Sequence, residues 1–127
     1  MQILIILTTL LLSRQVYAHG EDKVGPHGGF IRMPGAFHTE LVPSGNNAFK
    51  VYLLDMDWKN PSVKDAKVKL TFKGMKNMNS NCVEKANFYL CKFDKIFKPK
   101  NVGELILETT REAQAGDPVF YSLPLKN

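Results

Sequence analysis

The sequence has few of the residues and motifs on which most catalytic sites depend. Among its 127 residues are two cysteines, one tryptophan and three histidines. It has no Gly-x-Ser-x-Gly elbow, no phosphate-binding loop or dinucleotide fingerprint and no His-Glu-x-x-His zinc motif. These absences argue against a serine hydrolase, a nucleotide-dependent enzyme and a zinc hydrolase, so we expect no enzyme. A copper oxygenase would need a substrate surface that so short a chain supplies poorly.

Long apolar runs are also absent, apart from one at the start of the chain. Ile3–Leu12 is apolar but shorter than the roughly 20 residues that span a bilayer. Small side chains at Val16 and Ala18 fit cleavage after Ala18, so residues 1–18 are predicted to be a signal peptide. We therefore expect a secreted or periplasmic protein that is not embedded in the membrane.

Charge is mild and dispersed. Lys and Arg exceed Asp and Glu by 17 to 12, for a net charge of +5. The lysines alternate with acidic or apolar neighbours along the chain, whereas a nucleic-acid interface favours a basic patch with stacking aromatics. No nucleic-acid partner is expected.

The two cysteines, Cys82 and Cys91, suit an exported protein. An even number of cysteines in an oxidising compartment indicates a disulfide, here one that closes a short hairpin. The spacing differs from the Cys-x-x-Cys pattern of most redox or thiolate metal sites.

Alternation of apolar and polar residues dominates the rest of the chain. In 36–42, Phe37, Thr39 and Leu41 face one way and His38 and Glu40 the other. The predicted strands are 30–33, 36–42, 48–54, 67–72, 82–84, 88–93, 103–111 and 119–125. No helical stripe competes with this pattern, so we predict an all-β fold, a small antiparallel β-sandwich of immunoglobulin-like size with one disulfide-clamped hairpin.

The predicted organisation is a signal peptide over 1–18, a flexible N-terminal segment over 19–29 and one β-sandwich domain over 30–127. The loop 55–65 is long enough to cross from one sheet to the other. The predicted core comprises Phe37, Leu41, Phe49, Val51, Leu53, Val68, Leu70, Phe72 and Leu107.

The three histidines, His19, His27 and His38, cluster near the start of the mature chain. Cleavage after Ala18 would make His19 the N-terminal residue, whose amine and imidazole could chelate one Cu(II) ion. A further imidazole from His27 or His38 would complete a histidine brace. Each histidine also has a simpler interpretation: His19 as a frayed end, His27 as a solvated turn residue, and His38 as a surface residue beside Glu40.

Acidic and sulfur-bearing residues could complete such a site. Glu40 could supply an oxygen ligand or hydrogen-bond a ligating ring, as could Glu21 and Asp22. Met33 is the methionine nearest to the histidines, and its thioether sulfur would favour Cu(I).

The segment Gly25-Pro26-His27-Gly28-Gly29, followed by a strand ending Glu40-Leu41-Val42, resembles the opening strand of periplasmic adaptor subunits of heavy-metal efflux pumps. The predicted N-terminal His-Gly and the sandwich architecture resemble those of CopC-type copper-binding proteins. This resemblance implies that His19, His27 and His38 are candidate metal ligands.

Two hypotheses about function follow. The first is a secreted or periplasmic copper-binding protein, either a carrier or a resistance accessory, that meets another envelope protein or an efflux component. The second is a metal-free interaction module that docks another envelope protein through its hairpins or edge strands.

Overall fold

The computed structural model describes residues 24–94 and 102–125. These residues form ten β-strands and no helix. The strands are β1 (Phe30–Arg32), β2 (His38–Ser44), β3 (Ala48–Leu54), β4 (Lys67–Lys73), β5 (Met78–Asn79), β6 (Asn81–Glu84), β7 (Tyr89–Lys92), β8 (Gly103–Arg111), β9 (Gln114–Ala115) and β10 (Val119–Leu123).

The strands form two antiparallel sheets that face each other. The first sheet has the order β1-β2-β3-β7-β6, and the second has the order β10-β8-β4-β5, with β9 pairing the end of β8. This architecture confirms the predicted all-β sandwich. The predicted signal peptide lies outside the described residues. Within the described part of the chain, no helix is long and apolar enough to cross a membrane.

The main core lies between the two sheets, where alternate side chains of both meet. Every predicted core residue is buried there except Val68, which is half-buried and packs against the others. Tyr89, Cys91, Phe93, Leu105, Val119, Tyr121 and Leu123 complete the core.

The loop 55–65 crosses from β3 in the first sheet to β4 in the second, as predicted. Arg111, at the end of β8, holds this crossing in place. Its Nε donates a hydrogen bond to the carbonyl of Leu53 at 3.2 Å, and its Nη2 donates one to the carbonyl of Asn60 at 2.8 Å. The crossing is therefore tied to both sheets.

The hairpin of β6 and β7 contains the predicted disulfide. Cys82 and Cys91 lie directly opposite each other in the strand register and are bonded. Cys91 is fully buried in the main core, so the disulfide joins the edge strand β6 to the interior.

A second, smaller apolar cluster covers part of the outer face of the first sheet. Ile31, Tyr52 and Leu54 are buried there, and Trp58 and Phe88 pack against them. Residues 24–29 and the loop 55–60 lie over this face. The described part of the segment predicted to be flexible, 24–29, is thus folded against the sheet.

Candidate functional site

Glu40 is the buried acidic group on the outer face of the first sheet. It lies in β2, between Ile31 of β1 and Tyr52 of β3, and its side chain is fully buried. Its Oε1 accepts hydrogen bonds from the backbone N–H of His27 at 2.7 Å and of Gly29 at 3.0 Å. Its Oε2 lies 2.7 Å from Nδ1 of the His27 ring. Three donors from one turn therefore compensate the lost hydration of this carboxylate.

Glycine allows this turn to approach Glu40. The N–H of Gly25 donates to the carbonyl of Gly29 at 2.9 Å, which closes the turn, and Gly28 has a φ of 76°. A Cβ on Gly29 would lie 2.6 Å from the carbonyl oxygen of Leu41, and one on Gly25 would collide with the Glu40 carboxylate. The glycines of the 25–29 motif thus serve a close backbone approach.

The His27 ring is held in one orientation from two sides. It stacks on the ring of Tyr52 with centroids 3.7 Å apart and planes 3° from parallel. Because a carboxylate accepts hydrogen bonds, Nδ1 carries the proton toward Glu40, and in the neutral ring Nε2 keeps its lone pair. The side chain is 34% exposed. His27 can therefore offer a nitrogen lone pair near the protein surface.

Tyr52 contacts a second ring besides that of His27, and this ring is tilted by 40° to it. Its other neighbour is the ring of Phe88, at a centroid distance of 5.3 Å, and the Lys50 ammonium lies 5.2 Å from the centroid of that ring. Burial raises the pKa of Tyr52, and the charge of Glu40 raises it further. The Tyr52 hydroxyl therefore stays protonated to a higher pH than that of an ordinary tyrosine, and its neutral ring packs face to face against the imidazole of His27.

His38 lies on the same face as Glu40 but is only 3% exposed. Its Nδ1 donates a hydrogen bond to the backbone carbonyl of Asp55 at 3.2 Å, and its ring meets Trp58 edge-on with centroids 5.8 Å apart. The interpretation of His38 as a surface residue beside Glu40 is wrong, because the 55–60 loop covers it. Glu40 pairs with His27 instead.

The loop that covers His38 is organised by Asp55. The Asp55 carboxylate accepts hydrogen bonds from the backbone N–H groups of Asp57 and Lys59, each at 2.9 Å, and from the side chain of Asn60 at 2.8 Å. These hydrogen bonds, led by that from Lys59, lower the pKa of Asp55. The turn holds Trp58 at a φ of 62°.

The remaining predicted ligands are placed less favourably or lie outside the described residues. Met33 follows β1 and is half-buried, but it packs against neither of the two apolar clusters. Continuing the β1–β2 register by one residue would place it opposite His38. His19 lies outside the described residues, as do Glu21 and Asp22.

The described residues do not by themselves form a complete metal site. Over 24–94 and 102–125 there is no group of three or more His, Cys, Asp or Glu side chains that could hold a metal ion. The sequence marked His27 and Glu40 as candidate site residues, but it gave no signal for the stacking of Tyr52 on His27 or for the cover that Trp58 provides over His38. Those contacts join residues far apart in the chain.

Comparison with known proteins assigns no function to this arrangement of residues. The chain matches no protein-family model, no curated protein and no solved structure.

Proposed function

We propose that this protein is an exported copper-binding protein that holds its metal between Nε2 of His27 and the amine and imidazole of an N-terminal His19. The observation that carries the proposal is the hydrogen bond between His27 and the buried Glu40. Metal-binding histidines commonly donate their other ring N–H to a carboxylate, which fixes the tautomer and the ring orientation. His27 has this arrangement with Glu40.

His27 is a better candidate ligand than His38 because the two rings differ in access. His27 is one-third exposed, whereas His38 is buried under Trp58. An N-terminal segment that brings its own amine and imidazole to the protein can reach the first ring without opening the 55–60 loop. Met33 is not needed for a Cu(II) site of three nitrogens, whereas a Cu(I) site would use its thioether sulfur as a ligand.

Export is part of the same proposal. The Cys82–Cys91 disulfide fits an oxidising compartment such as the periplasm or the extracellular space. The predicted cleavage after Ala18 would produce the amine that the site needs. The hypothesis also rests on the resemblance to CopC-type proteins and efflux adaptor subunits. The partner that it implies for this protein is an efflux component or another envelope protein.

The test is a Cu(II) titration of the chain that begins at His19, followed by visible absorption and electron paramagnetic resonance. We expect one tightly bound ion with nitrogen coupling. Extending the chain by one residue before His19 should abolish that spectrum, because the amine becomes an amide. His27→Ala should do the same, while His38→Ala should leave the spectrum unchanged.

Glu40→Gln directly tests the role of the hydrogen bond between Glu40 and His27. The glutamine amide can donate to Nδ1 of His27, which would move the ring proton to Nε2 and remove the lone pair that binds metal. We expect nitrogen NMR of the metal-free variant to show the changed tautomer and the copper affinity to fall by about tenfold or more. Glu104→Gln, on the second sheet, is the matched control and should bind copper normally.

A metal-free interaction module that docks another envelope protein through an edge strand is the second candidate, favoured by the exposed Val83 on the edge strand β6. If the native, extended and His27→Ala proteins bind Cu(II) with equal affinity and equal spectra, the copper site is wrong. The interaction module is then the better assignment.

A further inference from the structure

The open side of β6 differs from the other sheet edges. At the β1 edge, Val24 forms a bridge to Phe30. At the β10 edge, Nε of Arg32 donates to the carbonyl of Phe120 at 3.1 Å. The β5 edge is only two residues long. Unpaired strand edges are templates for pairing with another chain, so natural proteins cover or shorten them.

By contrast, β6 is four residues long, and within the described residues nothing bonds to its outward side. Its disulfide to β7 holds the strand in place before any partner arrives, which lowers the entropic cost of pairing. Val83, near its centre, is 47% exposed. The edge is therefore ordered, open and marked by an apolar side chain.

The hydrogen-bond pattern of the hairpin shows which backbone groups face outward. The N–H of Lys85 donates to the carbonyl of Phe88 at 2.8 Å, so this pair is hydrogen-bonded. Antiparallel pairs alternate between bonded and non-bonded. Val83 is therefore bonded to β7, whereas Cys82 and Glu84 direct their N–H and C=O groups away from β7, toward the open edge.

We propose that β6 pairs with β6 of a second copy of this chain, antiparallel and centred on Val83. In this register Cys82 faces the partner's Glu84, and Glu84 faces the partner's Cys82. The two pairs exchange four backbone hydrogen bonds. Val83 lies opposite the partner's Val83 as a non-hydrogen-bonded pair, in which side chains approach most closely.

An alternative register centred on Cys82 is less favourable. It would require Ser80 to pair with the partner's Glu84. The N–H of Ser80 already donates to the carbonyl of Leu70 at 3.1 Å, and its hydroxyl donates to the same oxygen at 2.6 Å. Of these two registers, the one centred on Val83 pairs the outward-facing groups of Cys82 and Glu84 in both copies and places the two valines opposite each other.

The interface is small, so we expect a weak, concentration-dependent dimer. The proposal does not depend on copper binding. Sedimentation of the mature protein up to about 1 mM should show a reversible monomer–dimer equilibrium. In the same range, amide hydrogen exchange at Cys82 and Glu84 should slow as the concentration rises.

Glu84→Pro tests the pairing without breaking the hairpin, because the lost N–H faces the open edge, where proline is tolerated. It removes one hydrogen bond from each copy and should weaken the dimer by about tenfold or more. Val83→Lys should weaken it similarly by placing two cations opposite each other. Val102→Lys replaces another exposed valine and should change nothing.

A protein that stays monomeric throughout this range would overturn the proposal. So would a dimer that survives both Glu84→Pro and Val83→Lys while the variants remain folded by circular dichroism. A dimer whose amide protection maps to residues other than Cys82 and Glu84 would place the interface elsewhere.

Discussion

At the scale of single residues, Glu40 shows where sequence reasoning reaches its limit. Alternation in β2 correctly placed Glu40 and His38 on the face opposite Phe37 and Leu41. One interpretation of His38 left that face open to solvent. It is covered instead by residues 24–29 and 55–60, and alternation along a strand carries no information about which loop folds over it.

Gly29 provides a test of the turn over Glu40. Because a Cβ at this position would meet the carbonyl of Leu41 and the side chain of Val42, Gly29→Ala should displace the turn. We expect the free energy of unfolding to fall by about 1–3 kcal/mol in urea denaturation. Gly35→Ala is the control, because nothing lies within 4 Å of the added Cβ, and it should change the free energy of unfolding little.

Asp55 provides a pH-dependent test. A carboxyl whose pKa is lowered in the folded state contributes stability above its unfolded pKa and loses it as the pH falls through the folded value. The fluorescence of Trp58, the single tryptophan, should stay constant down to about pH 4 and change below it. Asp55→Ala should show the altered fluorescence already at neutral pH. If the variant matches the native protein there, the carboxylate does not organise the loop.

At the scale of elements, the strands were predictable because each carries its own alternation and turn signals. The disulfide hairpin and the sheet crossing at 55–65 are as expected, and the predicted strands 36–42 and 48–54 correspond to β2 and β3, which pair with each other. The two-residue strands β5 and β9 were missed. Two residues are too few to show a period, and these strands form because longer neighbours offer them partners.

The β6–β7 hairpin yields a prediction about the disulfide. Replacing Cys82 and Cys91 together by alanine should lower the free energy of unfolding by roughly 2–3 kcal/mol, because the open chain gains conformational entropy. Urea unfolding of the oxidised, reduced and double-alanine proteins measures the effect. Equal stability of all three would show that the strand pairing alone determines the hairpin.

At the scale of the whole molecule, the two sheets share one core, so neither is expected to fold alone. Leu53 of the first sheet and Leu107 of the second are both buried in it. Leu53→Ala and Leu107→Ala should each lower the free energy of unfolding by about 2–5 kcal/mol. Each variant should still unfold in a single transition, at a lower urea concentration than the native protein. Circular dichroism and Trp58 fluorescence, followed through the same urea titration, should coincide. Separate transitions for the two signals would contradict a shared core.

The topology of the first sheet also has a kinetic consequence. Its β1–β2, β2–β3 and β6–β7 pairings join consecutive strands and are local. By contrast, β3 must find β7 after the chain has passed through β4 and β5 of the other sheet, so that Phe49 comes to lie opposite Cys91. Pairings between distant segments raise the contact order, and domains dominated by them fold in roughly milliseconds to seconds. The joining of preformed hairpins, rather than their formation, should therefore set the time that this chain spends unfolded.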